Sequence, residues 1–172
     1  MIALTLASPA QTRKLARALA TQLRPPALIT VEGDLGTGKT TLVREVLRAR
    51  GVRGAITSPS FTLAQSYHGR DGEPLHHLDL YRLSRGADAE LFAWDDYLGP
   101  DAITFVEWPA AGNEALAPAD VRLVLAHRTV RSRHAELHAE AEVESRIAKA
   151  ARGQGLAVER GGAPKLPSGE GV

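Results

Sequence analysis

Eight contiguous residues constrain this chain more than any others: Gly33-Asp34-Leu35-Gly36-Thr37-Gly38-Lys39-Thr40, a match to G-x-x-x-x-G-K-[ST]. Such a loop works only between a buried strand and a helix, and the sequence supplies both. Ala27 to Val31 is a continuous apolar run of strand length, the pattern of a strand buried on both faces. From Lys39 to about Arg50, Leu42, Val43, Val46 and Leu47 fall on one helical face, and Gly51 follows the end. The glycines let consecutive backbone N–H groups turn inward toward phosphate oxygens, where side chains obstruct. The helix N-terminus adds partial positive charge at the same point. Lys39 carries a mobile charge toward β- and γ-phosphates, and the Thr40 hydroxyl is a ligand for Mg²⁺.

The rest of the chain alternates strands and helices. Ile2 to Leu6 is a short strand. Ser8 is an N-cap and Pro9 suits the first helical position. Leu15, Ala16, Leu19, Ala20 and Leu23 continue that helix, and Pro25-Pro26 ends it. Strands follow at Phe61–Tyr67, Leu75–Leu80 and Ile103–Val106, with a short helix at Ala87–Phe92. Val121–Ala126 and His134–Ala141 alternate like an antiparallel pair, and Glu142–Ala151 closes as a helix. One long Ala/Glu helix from His134 is the alternative. The expected fold is α/β: a P-loop NTPase-like three-layer sandwich with a mixed, centrally parallel sheet flanked by helices. The expected domain is 1–152. Residues 153–172 are rich in glycine and proline and poor in apolar residues, so a disordered tail is expected there.

Composition removes whole classes of function. There is no cysteine, so disulfides, thiolate zinc sites, iron–sulfur clusters and cysteine nucleophiles are excluded. No apolar run approaches the ~18–20 residues of a membrane span. The first residues lack the basic region of a signal peptide, which makes the cytoplasm the expected location. Net charge is only +1, unlike a dedicated nucleic-acid binder. It is uneven: residues 86–121 hold eight acids and no base.

A phosphate loop needs an acid at the end of a neighbouring buried strand. Glu107, after the apolar Ile103-Thr104-Phe105-Val106, is the better metal acid by strand quality. Asp79 lies in Leu75–Leu80, a strand whose paired His76-His77 make it a poorer buried strand. It suits a water-positioning or base role. Thr57-Ser58-Pro59-Ser60 reads either as a hydroxyl-bearing switch or as a polar turn. His76 and His77 point to opposite faces of a strand. His134 and His138 share one face without a third ligand, the pattern of a solvated surface. Arg44, Arg48, Arg50 and Arg53 make the loop's helix basic, as a solvated or a docking face. Phe92, Trp94 and Tyr97 amid acids mark either an interface or a satellite core. No lysine precedes an Asp by two positions. The usual guanine reader is therefore missing, and ATP is favoured.

Taken together, Gly33 through Thr41, Thr57-Ser58-Pro59-Ser60-Phe61-Thr62-Leu63, His77-Leu78-Asp79-Leu80-Tyr81-Arg82-Leu83, Asp96-Tyr97-Leu98 and Val106-Glu107-Trp108-Pro109 resemble the TsaE (YjeE) family over roughly residues 2–150. These are small P-loop ATPases needed for threonylcarbamoyladenosine on tRNA. The resemblance implies hydrolysis of ATP in support of TsaD and TsaB, with TsaD performing the transfer and tRNA met indirectly or transiently. It implies nucleotide binding by Gly33, Asp34, Leu35, Gly36, Thr37, Gly38, Lys39, Thr40 and Thr41, with Pro9, Ser132 and Arg133 adding contacts. Mg²⁺ would sit on Thr40 and Glu107. Asp79 would serve hydrolysis beside Lys39, and the segment at Thr57 would act as a switch. Two other readings stay open: a nucleotide-gated binding module with dispensable hydrolysis, and a small-molecule kinase.

Overall fold

The computed structural model describes residues 1–83 and 92–161. In chain order the elements are β1 (Ile2–Leu6), α1 (Pro9–Gln22), β2 (Ala27–Glu32), α2 (Lys39–Ala49), β3 (Ala64–His68) and β4 (Pro74–Asp79). A 3-10 turn at Trp94–Asp96 precedes β5 (Ile103–Glu107), and a second at Pro109–Ala115 follows it. Then come β6 (Val121–His127), β7 (Arg133–Ala139), α3 (Ala141–Gly153) and β8 (Val158–Arg160). The strands form one mixed sheet in the order β3-β4-β5-β2-β6-β7-β1-β8. The β4–β5, β5–β2 and β2–β6 pairings are parallel. The two flanks are antiparallel. The α/β fold with a centrally parallel sheet is the one the alternation of elements implies.

Strand periodicity divides the core into two faces. Ile29, Val31, Ile103, Phe105, Leu123, Leu125, Leu4 and Leu137 pack against α1, α2 and α3 in one cluster. Leu28, Leu78 and Val106 point the other way. There they meet Phe92, Trp94, Tyr97, Leu98 and Trp108. The rings of Phe92 and Tyr97 stack at 5.3 Å, and Phe92 meets Trp94 edge-on at 4.7 Å. The acidic, aromatic stretch is therefore a satellite core, with Asp95 and Asp96 exposed beside it. The basic helix α2 is partly committed as well. Arg44 donates to the Ile56 carbonyl, and Arg50 pairs with Glu73 at 3.0 Å and also bonds the Leu23 carbonyl. Arg48 pairs with Glu45 on the exposed side.

Ser8 starts α1 in extended backbone and accepts from the Gln11 N–H, with Pro9 next. His134–Ala139 is strand, paired to β6 and β1, which disposes of the long-helix alternative. Two other expectations are corrected, the start of one strand and the extent of the tail, and a third falls largely outside the described residues. The strand expected from Phe61 starts at Ala64. Leu63 has φ +62°, Thr62 N–H bonds the Pro59 carbonyl, and Phe61 is 83% exposed, so Phe61–Leu63 is a turn. Residues 87–91 of the short helix expected at 87–92 lie outside the described residues, and Phe92 is a bend.

The tail expected from 153 onward is packed at least to Gly161. Gly155, at φ +76°, reverses the chain after α3. Leu156 is then buried in the main core, and Val158–Arg160 pairs antiparallel with β1. Gly155 there serves a turn, and residues 162–172 of the expected tail lie outside the described residues.

Candidate nucleotide and metal site

Gly33 to Gly38 wraps from the end of β2 to the start of α2, the edge where the parallel strands β4, β5 and β6 also present their ends. Gly33 sits at φ +134°, and a Cβ there would lie 2.0 Å from the Leu125 carbonyl oxygen. The loop's first glycine is thus required by β6 as well as by the turn. Thr37 is buried, and its hydroxyl donates to the Asp34 carbonyl at 2.8 Å, closing the loop on itself.

Lys39 folds back into this loop. Its Nζ donates to the carbonyls of Gly33 (2.7 Å) and Asp34 (2.9 Å) and lies 3.9 Å from the centre of the Trp108 ring. Trp108 holds φ +59°, a left-handed backbone that a bulky residue rarely adopts. Burial lowers the Lys39 pKa, opposed by the charges of Glu107, Asp79 and Asp34. The lysine is therefore held by loop carbonyls and an aromatic face where phosphate oxygens are the alternative partners.

The acids converge beside it. The parallel register places Asp79 directly opposite Glu107, at the same strand edge. Both are almost fully buried, at 4% and 1% exposed. Glu107 Oε2 accepts from the Thr40 hydroxyl at 2.9 Å, and Oε1 bonds His77 Nε2 at 2.7 Å. Asp79 Oδ2 accepts from the Ser60 hydroxyl at 2.5 Å, and Oδ1 from the Tyr81 N–H at 3.1 Å. The Ser60 and Ser58 hydroxyls are 2.7 Å apart. Lys39, Thr40, Ser60, Asp79, Glu107 and Trp108 line one cleft of about 270 Å³. The donors at Thr40 and Glu107 are hard oxygens, the set that Mg²⁺ prefers, with an open cleft in which it can keep waters. The residues present therefore fit a magnesium ion.

A second cleft of about 220 Å³ lies across the loop, lined among others by Leu6, Ser8, Pro9, Thr12, Leu125 and Arg133. Gly36, Gly38 and Thr41 border both clefts. Arg133 Nε donates to the Thr37 carbonyl at 3.1 Å and its Nη2 to the Gly36 carbonyl at 3.4 Å. The arginine thus braces the loop from the side away from the acids.

Not every sequence candidate reaches a cleft. Pro9 and Arg133 do. Ser132 is buried, and its hydroxyl and N–H bond Thr129 Oγ1, holding the β6–β7 turn. Thr57 is exposed and lines neither cleft; Ser60 is the hydroxyl that does, because the turn after Pro59 points it inward. His134 and His138 flank Glu136 at 3.2 and 3.5 Å, away from these clefts. Among the described residues no group of three or more His, Asp or Glu is set to hold a metal.

Sequence reasoning missed His77 and Thr12, and within Thr57-Ser58-Pro59-Ser60 it singled out Thr57 where Ser60 lines the cleft. For His77 a signal existed: a histidine inside an apolar strand needs a buried partner. The structure also corrects the quality of that strand. β4 is buried from Leu75 to Asp79, and His77 is tolerated because Glu107 pairs with it.

The family model for threonylcarbamoyl adenosine biosynthesis protein TsaE matches residues 6–135. The chain belongs to the TsaE family. It is 44% identical over 113 residues to the tRNA threonylcarbamoyladenosine biosynthesis protein TsaE of Streptomyces coelicolor, covering 64% of this chain and 76% of that one. Against the protein of the same name from Haemophilus influenzae it is 38% identical over 94 residues, 55% of this chain and 59% of the relative's length. The fold matches a crystal structure of Bacillus subtilis YdiB with a TM-score of 0.71 at 24% identity, over 89% of this chain and 97% of that one. This TsaE-family chain is a P-loop nucleotide-binding protein by motif, fold and family. No helix among its described residues is long and apolar enough to cross a membrane.

Proposed function

We propose that the chain binds Mg-ATP and hydrolyses it to ADP and phosphate in support of the TsaD and TsaB proteins, which form threonylcarbamoyladenosine on tRNA in the cytoplasm. One observation carries the hydrolytic reading: Lys39, Thr40, Asp79 and Glu107, drawn from α2, β4 and β5, face a single cleft beside the phosphate loop. Bound Mg²⁺ would supply charge neutralisation at the β- and γ-phosphates. The loop N–H groups and Lys39 bind phosphate oxygens, the lysine giving up its carbonyl partners as it does so. Thr40 and Glu107 orient the metal-bearing end of the nucleotide. Asp79, with each oxygen already anchored by Ser60 or the Tyr81 N–H, keeps lone pairs free to orient an attacking water. Across the loop, Leu6, Pro9 and Leu125 offer apolar surface for the base.

A nucleotide-gated binding module has its own support. Among the described residues no arginine lines the acid-side cleft, and Arg82, after β4, is held over the Phe61 ring at 4.3 Å. A partner would then supply the missing positive charge for hydrolysis. The deciding experiment is phosphate release from Mg-ATP by the purified chain, alone and with TsaB, TsaD and tRNA. Slow release that rises with the partners supports the coupled ATPase. Tight nucleotide binding without partner-stimulated release leaves only the gated module.

A further inference from the structure

His77 is a buried polar side chain that the steps above leave without a role. It is fully buried on β4, between Leu75 and Leu78, which are equally buried. A leucine would fill that volume without the cost of desolvating an imidazole. What the imidazole does there is visible: Nε2 meets Glu107 Oε1 at 2.7 Å, while Glu107 Oε2 accepts from the Thr40 hydroxyl. The carboxylate is gripped from two sides, so its plane is set. The β4–β5 register puts Asp79 opposite Glu107 and His77 opposite Phe105. His77 therefore lies two residues behind Asp79 on the same face of the sheet. Glu107 and Thr40 line the cleft, and His77 does not. Nε2 is the ring nitrogen that faces the carboxylate. Nδ1 has no partner among the described residues, and an N–H there would be an unpaired buried donor.

We infer that His77 is the positioning residue of the metal site: it occupies Oε1 of Glu107 so that Oε2, beside Thr40, is the oxygen presented to a divalent cation. This rests on the reading above that the cation of the bound nucleotide sits at Thr40 and Glu107. Without the imidazole, an oxygen on a carboxylate only 1% exposed loses its donor, and the group is free to rotate away from Thr40. Partners behind a metal ligand are worth about 10–100-fold in metal affinity.

The test measures the affinity of a non-hydrolysable ATP analogue with and without Mg²⁺, by calorimetry, for wild type, His77→Leu and His77→Gln. In His77→Leu the affinity gained from Mg²⁺ falls about 10–100-fold, while affinity in EDTA stays close to wild type. His77→Gln, which keeps an N–H donor of similar reach, restores most of the gain. In a Glu107→Gln background His77→Leu adds nothing further to the Mg²⁺ dependence, as expected for residues acting through one another. Equal losses with and without Mg²⁺, an additive effect in the Glu107→Gln background, or wild-type Mg²⁺ dependence in both variants each overturn the inference. If wild type itself gains no affinity from Mg²⁺, the underlying metal reading fails instead. The two failures are thus distinguishable.

Discussion

The two clefts on either side of the phosphate loop share a wall and differ in almost everything else. The acid side is built of the buried Lys39, His77, Asp79 and Glu107 and the half-buried groups that hold them: Thr40 and His77 on Glu107, Ser60 on Asp79, and the Trp108 ring on Lys39. The other side is built of Leu6, Pro9 and Leu125, with short hydroxyl side chains, Arg131 and the bracing Arg133. Charge in a poorly solvated site is strong only when its geometry is fixed in advance. Apolar recognition needs surface and little orientation. The acid side is therefore expected to govern rate, and the other side affinity.

Four outcomes break or sharpen that division. The largest effect is expected for Lys39→Ala: phosphate release falls by about 10²–10³-fold or more, as for loss of one transition-state donor, measured by a coupled phosphate assay at saturating Mg-ATP. Asp79→Asn comes next. It is expected to lower turnover by about 10²-fold while analogue affinity stays within about threefold, about 0.7 kcal/mol or less in binding. Loss of affinity equal to loss of rate would show Asp79 to be a binding residue. Arg133→Ala tests the opposite cleft. Analogue affinity is expected to weaken about tenfold, roughly 1.4 kcal/mol, with turnover at saturation unchanged; a fall in turnover would mean that the brace sets the loop's catalytic geometry.

The smallest effect belongs to His76, on the sheet face away from α2. Its Nδ1 is 2.8 Å from the Ser66 hydroxyl, and its ring meets Tyr97 edge-on. Burial, with the nearby charge of His68, lowers its pKa from 6.5. The folded protein then binds fewer protons than the unfolded chain in the window just below 6.5. The contribution to stability is present above that pH and is lost as pH falls toward the folded-state value. Urea unfolding at pH 7.5 and 5.5 should show a steeper loss for wild type than for His76→Asn, with analogue affinity unaffected.

Much of the site was legible because its chemistry is contiguous. Gly33 through Thr40 needs only its own residues to form an anion-binding turn, and Ala27–Val31 and Lys39–Ala49 announce themselves by unbroken and by helical apolar spacing. Glu107 was legible for a similar reason, since an acid ending an apolar strand beside such a loop has few other uses. Ser60 was not. Which hydroxyl of Thr57-Ser58-Pro59-Ser60 turns inward depends on the turn closed between Pro59 and Thr62 and on where Asp79 waits. The edge strand after Gly155 was hidden because three residues carry no period. Only the free edge of β1 makes them a strand.

Local rules, then, decided the phosphate loop, its flanking strand and helix, and the class of ligand. Tertiary structure alone decided that His77, Thr40 and Glu107 meet. Those three residues come from three elements, and their contact depends on the parallel register of β4 against β5 and on α2 packing against β5. Register is set by the whole buried face of a sheet rather than by any one segment, so a one-residue slip would leave every local pattern intact and dissolve the site.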